Sequence, residues 1–175
     1  MADLHVQCIS ALREFASNRK FWKDHLGCLR TANQPPFGIH LAVFVEPFLK
    51  FILDGQKTVE SRFSVVKCAP YDRVKEGDVI LLKRVAGPVV GLCRVSSASF
   101  YELDKANWQF IRDKFAKAIC ADDDFWASRC HAVYATLLTV TDPVEIRPFN
   151  VAKKDRRGWV VVTNMTPGTN CELFV

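Results

Sequence analysis

The sequence has no apolar run long enough to cross a bilayer. Its longest, residues 39–45 and 133–140, fall far short of the roughly 20 residues that a spanning helix needs. No membrane is therefore expected among its partners. There is no CxxC pair, and the closest His/Cys neighbours, His5 with Cys8 and Cys130 with His131, do not make a four-ligand zinc pattern, so neither metal nor cofactor is expected. The opening Met1-Ala2-Asp3-Leu4-His5 lacks the basic start, apolar core and small-residue cleavage site of a secretory signal, and a cytoplasmic location is expected. With only 8 glycines and 8 prolines in 175 residues, and no repeat or low-complexity segment, collagen-like and wholly disordered classes drop out.

What remains is the composition of a globular protein, 49% hydrophobic and 25% charged, at the length of one ordinary domain. The seven cysteines, at 8, 28, 68, 93, 120, 130 and 171, are odd in number and scattered through apolar surroundings, so reduced and mostly buried thiols are expected. A net charge of +5 suits a partner that carries phosphates.

Residues 1–38 read as a helical N-terminal extension. Asp3 is a candidate cap before the stripe Val6, Ile9, Leu12 and Ala16, and Asn18 opens a second pattern with Phe21, Trp22 and Leu26. Pro35-Pro36 breaks it, since consecutive prolines remove donors and push the preceding residue toward extended geometry. From 39 the pattern turns to strands. Residues 39–45 are β-rich; a short helix with Phe48, Phe51 and Ile52 follows Glu46-Pro47 and stops at Asp54-Gly55. Residues 58–63, 79–82 and 89–95 read as an antiparallel meander, and 133–140 and 159–163 as further strands. Between them, Trp108, Ile111, Phe115 and Ile119 recur at three- and four-residue steps and mark a helix covering a barrel end, while Asp122-Asp123-Asp124 suits a cap before Phe125 and Trp126.

The densest chemistry lies in residues 55–62, where a glycine turn, a lysine, a glutamate and an arginine fall within eight positions. On an alternating strand Thr58, Glu60 and Arg62 share one face. Lys57 has the other parity and joins them only if it lies in the turn. A bare Glu60/Arg62 pair could equally be a surface ion pair worth about 0–1 kcal/mol. A second cluster, Lys153, Lys154, Arg156 and Arg157 around Asp155, suits phosphates or a solvated turn, and Lys83 and Arg84 add to the same field. Trp108, Trp126, Trp159 and Phe44 could stack on a base, with core positions favoured for Trp108 and Trp159.

The pattern GxKxxExR, as Gly55, Lys57, Glu60 and Arg62, resembles the signature of the ASCH domain family in the PUA-like superfamily. Lys75-Glu76-Gly77-Asp78-Val79 resembles that family's glycine-aspartate turn into a barrel strand, residues 89–95 the strand after it, and the Trp159 strand the closing one. The resemblance spans residues 39–164, leaving 165–175 as a tail. It implies an α+β protein with a mainly antiparallel, five- or six-stranded barrel, flanking helices, and a cleft that takes RNA, single-stranded nucleic acid, a nucleotide or a nucleoside. Lys57, Thr58, Glu60, Arg62, Lys83 and Arg84 are then the candidate ligand-binding residues. One branch of the family removes acyl groups from the exocyclic amine of cytidine with the motif lysine, a threonine three residues on, and a distant glutamate. Here Lys57 matches, Glu60 stands at the threonine's place, and Glu102, Asp104 and residues 122–124 all compete for the glutamate's. Three functions therefore stand open: binding of nucleic acid or a nucleotide, hydrolysis of an N4-acylated cytidine with Lys57 and Glu60 as the catalytic pair, and a protein-interaction module.

Overall fold

The structure is a computed structural model and describes residues 3–15, 19–30, 35–153 and 156–164. Ala16, Asn18, Lys154 and Cys171 lie outside the described residues. Two helices, α1 (Leu4–Glu14) and α2 (Lys20–Gly27), precede a six-stranded sheet. The strands are β1 (Ile39–Phe44), β2 (Val59–Ser64), β3 (Val79–Arg84), β4 (Val89–Glu102), β5 (Tyr134–Phe149) and β6 (Trp159–Thr163), with α3 (Phe48–Leu53), α4 (Lys105–Ile119) and α5 (Asp123–Ala127) between them. Their order across the sheet is β2-β5-β4-β3-β1-β6, parallel only where β1 meets β3. The result is a curled half-barrel with flanking helices, the α+β architecture expected.

Three expectations need correction. The strand at 58–63 is not part of a meander with the next two; β2 pairs with β5, and the meander is β3-β4-β5. Nor does backbone pairing close the barrel, because β2 and β6 end the sheet and no ladder joins them among the described residues. Finally, β4 and β5 run to 14 and 16 residues, well past the apolar stretches that announced them. Their continuation is polar on one face, and a register shift sets Thr141 and Val144 of β5 against Arg94 and Leu92 of β4. The extra residue is absorbed at Asp142-Pro143, where Asp142 takes φ 54° and Pro143 sits at the bulge, the one interior strand position it tolerates.

The sheet is buried on both faces around β1 and β3, which is why 39–44 and 79–82 read as nearly unbroken apolar runs. Ile39, Leu41, Val79 and Leu81 face outward into a core shared with Cys8, Leu12, Trp22, Leu26 and Leu29. Ala42, Phe44, Ile80 and Leu82 face the concave side with Leu49, Ile52 and Trp159. The N-terminal helices therefore complete one side of the protein's main core. Trp22 also donates its indole N–H to Asp142 O at 2.9 Å, and Arg19 reaches Pro143 O at 2.7 Å, so α2 is tied to the bulge of β5. A third core lies under α4 and α5, where Ile111, Ile119, Phe125 and Trp126 pack on Val59 and Leu137.

Local details vary in how they follow the sequence. Asp104 and Asp122 cap α4 and α5 through Asn107 N and Phe125 N, 2.7 Å each. Asp3 stands at the cap of α1 with no side-chain bond. Of the six described cysteines, Cys8 and Cys93 are buried, Cys28 and Cys120 partly so, and Cys68 and Cys130 exposed, so "mostly buried" was too strong. Burial raises the Cys8 thiol to about 12, which keeps it inert. No described helix is long and apolar enough to cross a membrane.

His25 on α2 lies between the rings of Phe21 and Phe37 with its Nε2 3.1 Å from Gly77 O. Burial lowers its pKa, with the Gly77 carbonyl opposing. A histidine whose folded pKa is lowered binds protons more readily when unfolded, so its contribution is complete above the unfolded value near 6.5 and fades as pH falls through it. Urea unfolding should accordingly show stability declining from pH 7 to pH 5, with a shallower decline in His25→Gln. Equal slopes in the two proteins would contradict this role. Trp22→Ala should lower stability by about 3–5 kcal/mol at pH 7 in the same assay.

Candidate functional site

The site begins at the end of α3. Gly55, at φ 74°, turns the chain in the left-handed region that side chains avoid, and Lys57 N then bonds back to Phe51 O at 2.9 Å. Lys57 thus lies in the turn before β2, outside the strand's alternation, and its side chain swings to the same side as Glu60. This answers the parity question left by the sequence.

Lys57, Glu60 and Arg62 converge. Glu60 is only 4% exposed and Lys57 3%, which removes the surface ion-pair reading. The Glu60 Oε1 accepts from Arg62 Nε at 2.7 Å, and Oε2 lies 3.4 Å from Lys57 Nζ. The Lys57 ammonium also donates to Val59 O at 2.8 Å and to Ile119 O at 3.0 Å. Three acceptors thus meet its three N–H groups. Ile119 ends α4, so the lysine supplies a cation where the helix dipole is negative. Burial lowers its pKa and Glu60 opposes the shift.

Arg62 reaches across the seam that the backbone leaves open. Its Nη2 donates to Val43 O at 3.0 Å and its Nη1 lies 3.5 Å from Gly158 O, while the guanidinium stacks over Phe44 and Trp159 at 5.0 and 5.4 Å. A Cβ at Gly158 would sit 3.2 Å from Nη1, close enough that the guanidinium would have to shift slightly. The Trp159 indole N–H donates to His40 Nδ1 at 3.3 Å, and the other nitrogen of His40 gives its proton to Asp78 Oδ2 at 2.9 Å. Because an indole can only donate, this chain fixes the imidazole tautomer. Asp78 accepts further from Gly38 N at 2.6 Å and Lys75 N at 2.8 Å.

Beside this network lies a cleft of about 220 Å³. Phe44, Phe48, Phe63 and Phe125 wall it; Lys57, Glu60 and Arg62 form its charged side; Arg129 stands at its rim. The Arg129 guanidinium is held 3.7 Å over the Phe125 ring, with Nη1 bonded to Phe125 O and Ser128 Oγ at 2.9 and 2.7 Å. A separate groove of about 270 Å³ is lined by Lys83, Lys153, Arg156 and Arg157.

The other candidates are placed as follows. Thr58 is exposed just before β2 and does not line the cleft; its N–H bonds to Ala118 O at 3.0 Å. Arg84 is exposed and pairs with Glu46 at 3.3 Å, away from Lys83's groove. Lys154 falls outside the described residues. Glu102 pairs with Lys67 at 2.6 Å, Asp104 and Asp122 cap helices, and Asp123 pairs with Arg112 at 2.9 Å; none of them lines the cleft. Trp108 and Trp126 pack on each other at 5.7 Å in the core under α4. Sequence reasoning passed over His40 and Arg129, and it placed Asp78 in a turn without finding its histidine partner. A histidine inside an otherwise apolar buried strand was a usable signal, because a buried polar group demands a partner. Arg129, 67 positions beyond Arg62, gave none.

No family model matches this chain, and no curated protein sequence does. Solved structures share its fold. The crystal structure of a serine-to-alanine variant of the ASCH protein from Zymomonas mobilis matches with TM-score 0.57 and 15% identity, over 73% of this chain and 89% of that one. A tyrosine-to-phenylalanine variant of the same protein gives TM-score 0.50 and 18% identity, over 64% and 75%. The chain has an ASCH-like fold, a curled half-barrel with the cleft set at its open seam.

Removing Arg62 takes one of the two cations from Glu60 and the side-chain bond that reaches Val43 O across the seam. Arg62→Ala should lower stability by about 2–3 kcal/mol, the range for a charge-assisted bond whose buried acceptor stays behind. Arg62→Lys should recover only part, because a point charge cannot span Glu60 and Val43 O together. Full recovery in urea unfolding would show that the forked geometry is dispensable.

Proposed function

We propose that the cleft binds a single base or nucleoside, presented by RNA, single-stranded nucleic acid or a free nucleotide. The observation that carries the reading is a buried Glu60 carboxylate, held by two cations, facing a cleft with four phenylalanine walls. Each carboxylate oxygen has a second lone pair, so Glu60 can accept from a ring or exocyclic N–H of a base while Lys57 and Arg62 keep it in place. The phenylalanines offer stacking faces, and single-stranded nucleic acids are commonly read by such stacking together with hydrogen bonds to splayed-out base edges. At about 220 Å³ the cleft is below the roughly 300–1,000 Å³ of drug-sized pockets, which suits one base better than a helical segment.

The same arrangement weighs against amide hydrolysis. A general base must present a lone pair to the reacting proton, and all three Lys57 N–H groups are directed to acceptors in the protein. None of the carboxylates that could replace the branch's distant glutamate, Glu102, Asp104 and residues 122–124, lines the cleft. Purified protein incubated with N4-acetylcytidine should release cytidine slowly or not at all; rapid release abolished by both Lys57→Ala and Glu60→Ala would overturn the binding reading.

Binding itself is tested by titrating nucleosides and short single-stranded RNA or DNA. Glu60→Gln keeps the shape but replaces one acceptor oxygen by a donor, and should weaken nucleoside binding at least tenfold. Arg129→Ala, which removes a half-buried cation that lines the cleft and feels the charge of Glu60, should also weaken nucleoside binding. Oligonucleotide affinity should fall steeply with salt as phosphate counterions are released. No binding at low salt, with folded protein, refutes the nucleic-acid reading and leaves a protein ligand.

A further inference from the structure

The groove lined by Lys83, Lys153, Arg156 and Arg157 lies directly across the seam from the cleft. Val43 lines both cavities, and the Gly158 at the groove's wall is the residue whose carbonyl faces Arg62 Nη1. We propose that this groove is a phosphate subsite of the same binding site, so that cleft and groove together take one nucleotide unit, with the base beside Glu60 and the phosphate among the four cations. The proposal rests on the reading of the cleft as a base site.

Two elements far apart in the sequence supply the cations: Lys83 comes from the end of β3, the other three from the segment before β6. Lys83 pairs with Val43 in the regular β1/β3 ladder, and Val43 lines the groove beside it. The Lys83 ammonium is anchored by the carbonyls of Gly87 and, at 3.2 Å, Arg84. No Asp or Glu lines the groove among the described residues. Partial burial lowers the Lys83 pKa, and the nearby charge of Lys153 adds to the shift. A phosphate seated in such a groove accepts from several charged donors at once. Lysine and arginine together fit a phosphate, which takes both point-charge and forked contacts.

The phosphate can belong to a free nucleotide or to a nucleic-acid backbone, and the ligands used in the test separate the two. Affinities are measured at fixed ionic strength for cytidine and adenosine, for their 5′- and 3′-monophosphates, for inorganic phosphate, and for a short single-stranded RNA. Each monophosphate of the preferred position should bind at least tenfold tighter than its nucleoside, and inorganic phosphate should compete only with the phosphorylated ligands. Lys83→Met with Arg156→Gln should bring the monophosphate down to the affinity of the nucleoside, while Lys23→Gln, which removes an exposed lysine on α2, should leave the preference intact. An RNA that binds tighter than either monophosphate and loses affinity in the double variant identifies a backbone phosphate; a monophosphate that outbinds the RNA identifies a free nucleotide. Nucleosides that bind as tightly as their monophosphates overturn the subsite and leave the cleft reading standing. A tenfold preference that persists in the double variant also overturns it. Phosphate binding without nucleoside binding overturns both the cleft reading and the joint site.

Discussion

The Glu60 carboxylate is the point on which the seam of this half-barrel depends. It is buried, so its charge carries a desolvation cost of several kcal/mol that only well-placed partners can offset. The two partners lie on opposite sides and lead to different parts of the fold. Lys57 carries the connection to the last carbonyl of α4, and Arg62 carries it to the carbonyls at the end of the β1/β6 pairing. One carboxylate therefore couples the helix that covers the barrel, the strand at one sheet edge and the strands at the other. A hydrophobic trio could fill that volume, and in other proteins such replacements are often neutral or stabilising. It could not join three backbone carbonyls across an unpaired edge.

A second polar chain supports the first from behind. Asp78 holds His40, His40 holds the Trp159 indole, and the Trp159 face supports the Arg62 guanidinium. Asp78 accepts from two backbone N–H groups as well as from the imidazole, so it is fixed by the Gly77-Asp78 turn into β3 and by the residue that enters β1. The orientation of a side chain in the cleft is thus set by backbone elements on the far side of the sheet. In a low-dielectric interior such chains hold their geometry firmly when every member is satisfied, as these are.

The residues of the motif were legible in the sequence, and the way they are used was only partly so. Strand alternation placed Glu60 and Arg62 together, and the glycine at 55 suggested the turn that brings Lys57 to them. Alternation also predicted Thr58 beside them, and that failed because β2 starts one residue later. The apolar runs of β1 and β3 gave their positions but concealed that both faces are covered, so the N-terminal helices read as an extension although Trp22 and Leu12 share a core with Ile39 and Leu81. The second halves of β4 and β5 were missed for a different reason. Ser96, Ser97, Ser99 and the bulge at Asp142-Pro143 break every local strand signal, and only the long ladder between the two strands holds these residues extended. Non-local pairing of this sort leaves no trace in a short window.

The open seam explains why the cleft falls where it does. Had β2 and β6 zipped together through backbone hydrogen bonds, strands 4.7–4.9 Å apart would have left no room between them. A side chain closes the gap instead, and a guanidinium reaching to two carbonyls spans a wider distance than a ladder while leaving a hollow on each side of it. The aromatic cleft is one hollow and the cationic groove lies beyond the same wall. A side chain with a single hydroxyl at position 60 could not anchor Arg62 and Lys57 at once, so in this chain closing the seam and lining the charged side of the cleft fall to the same carboxylate.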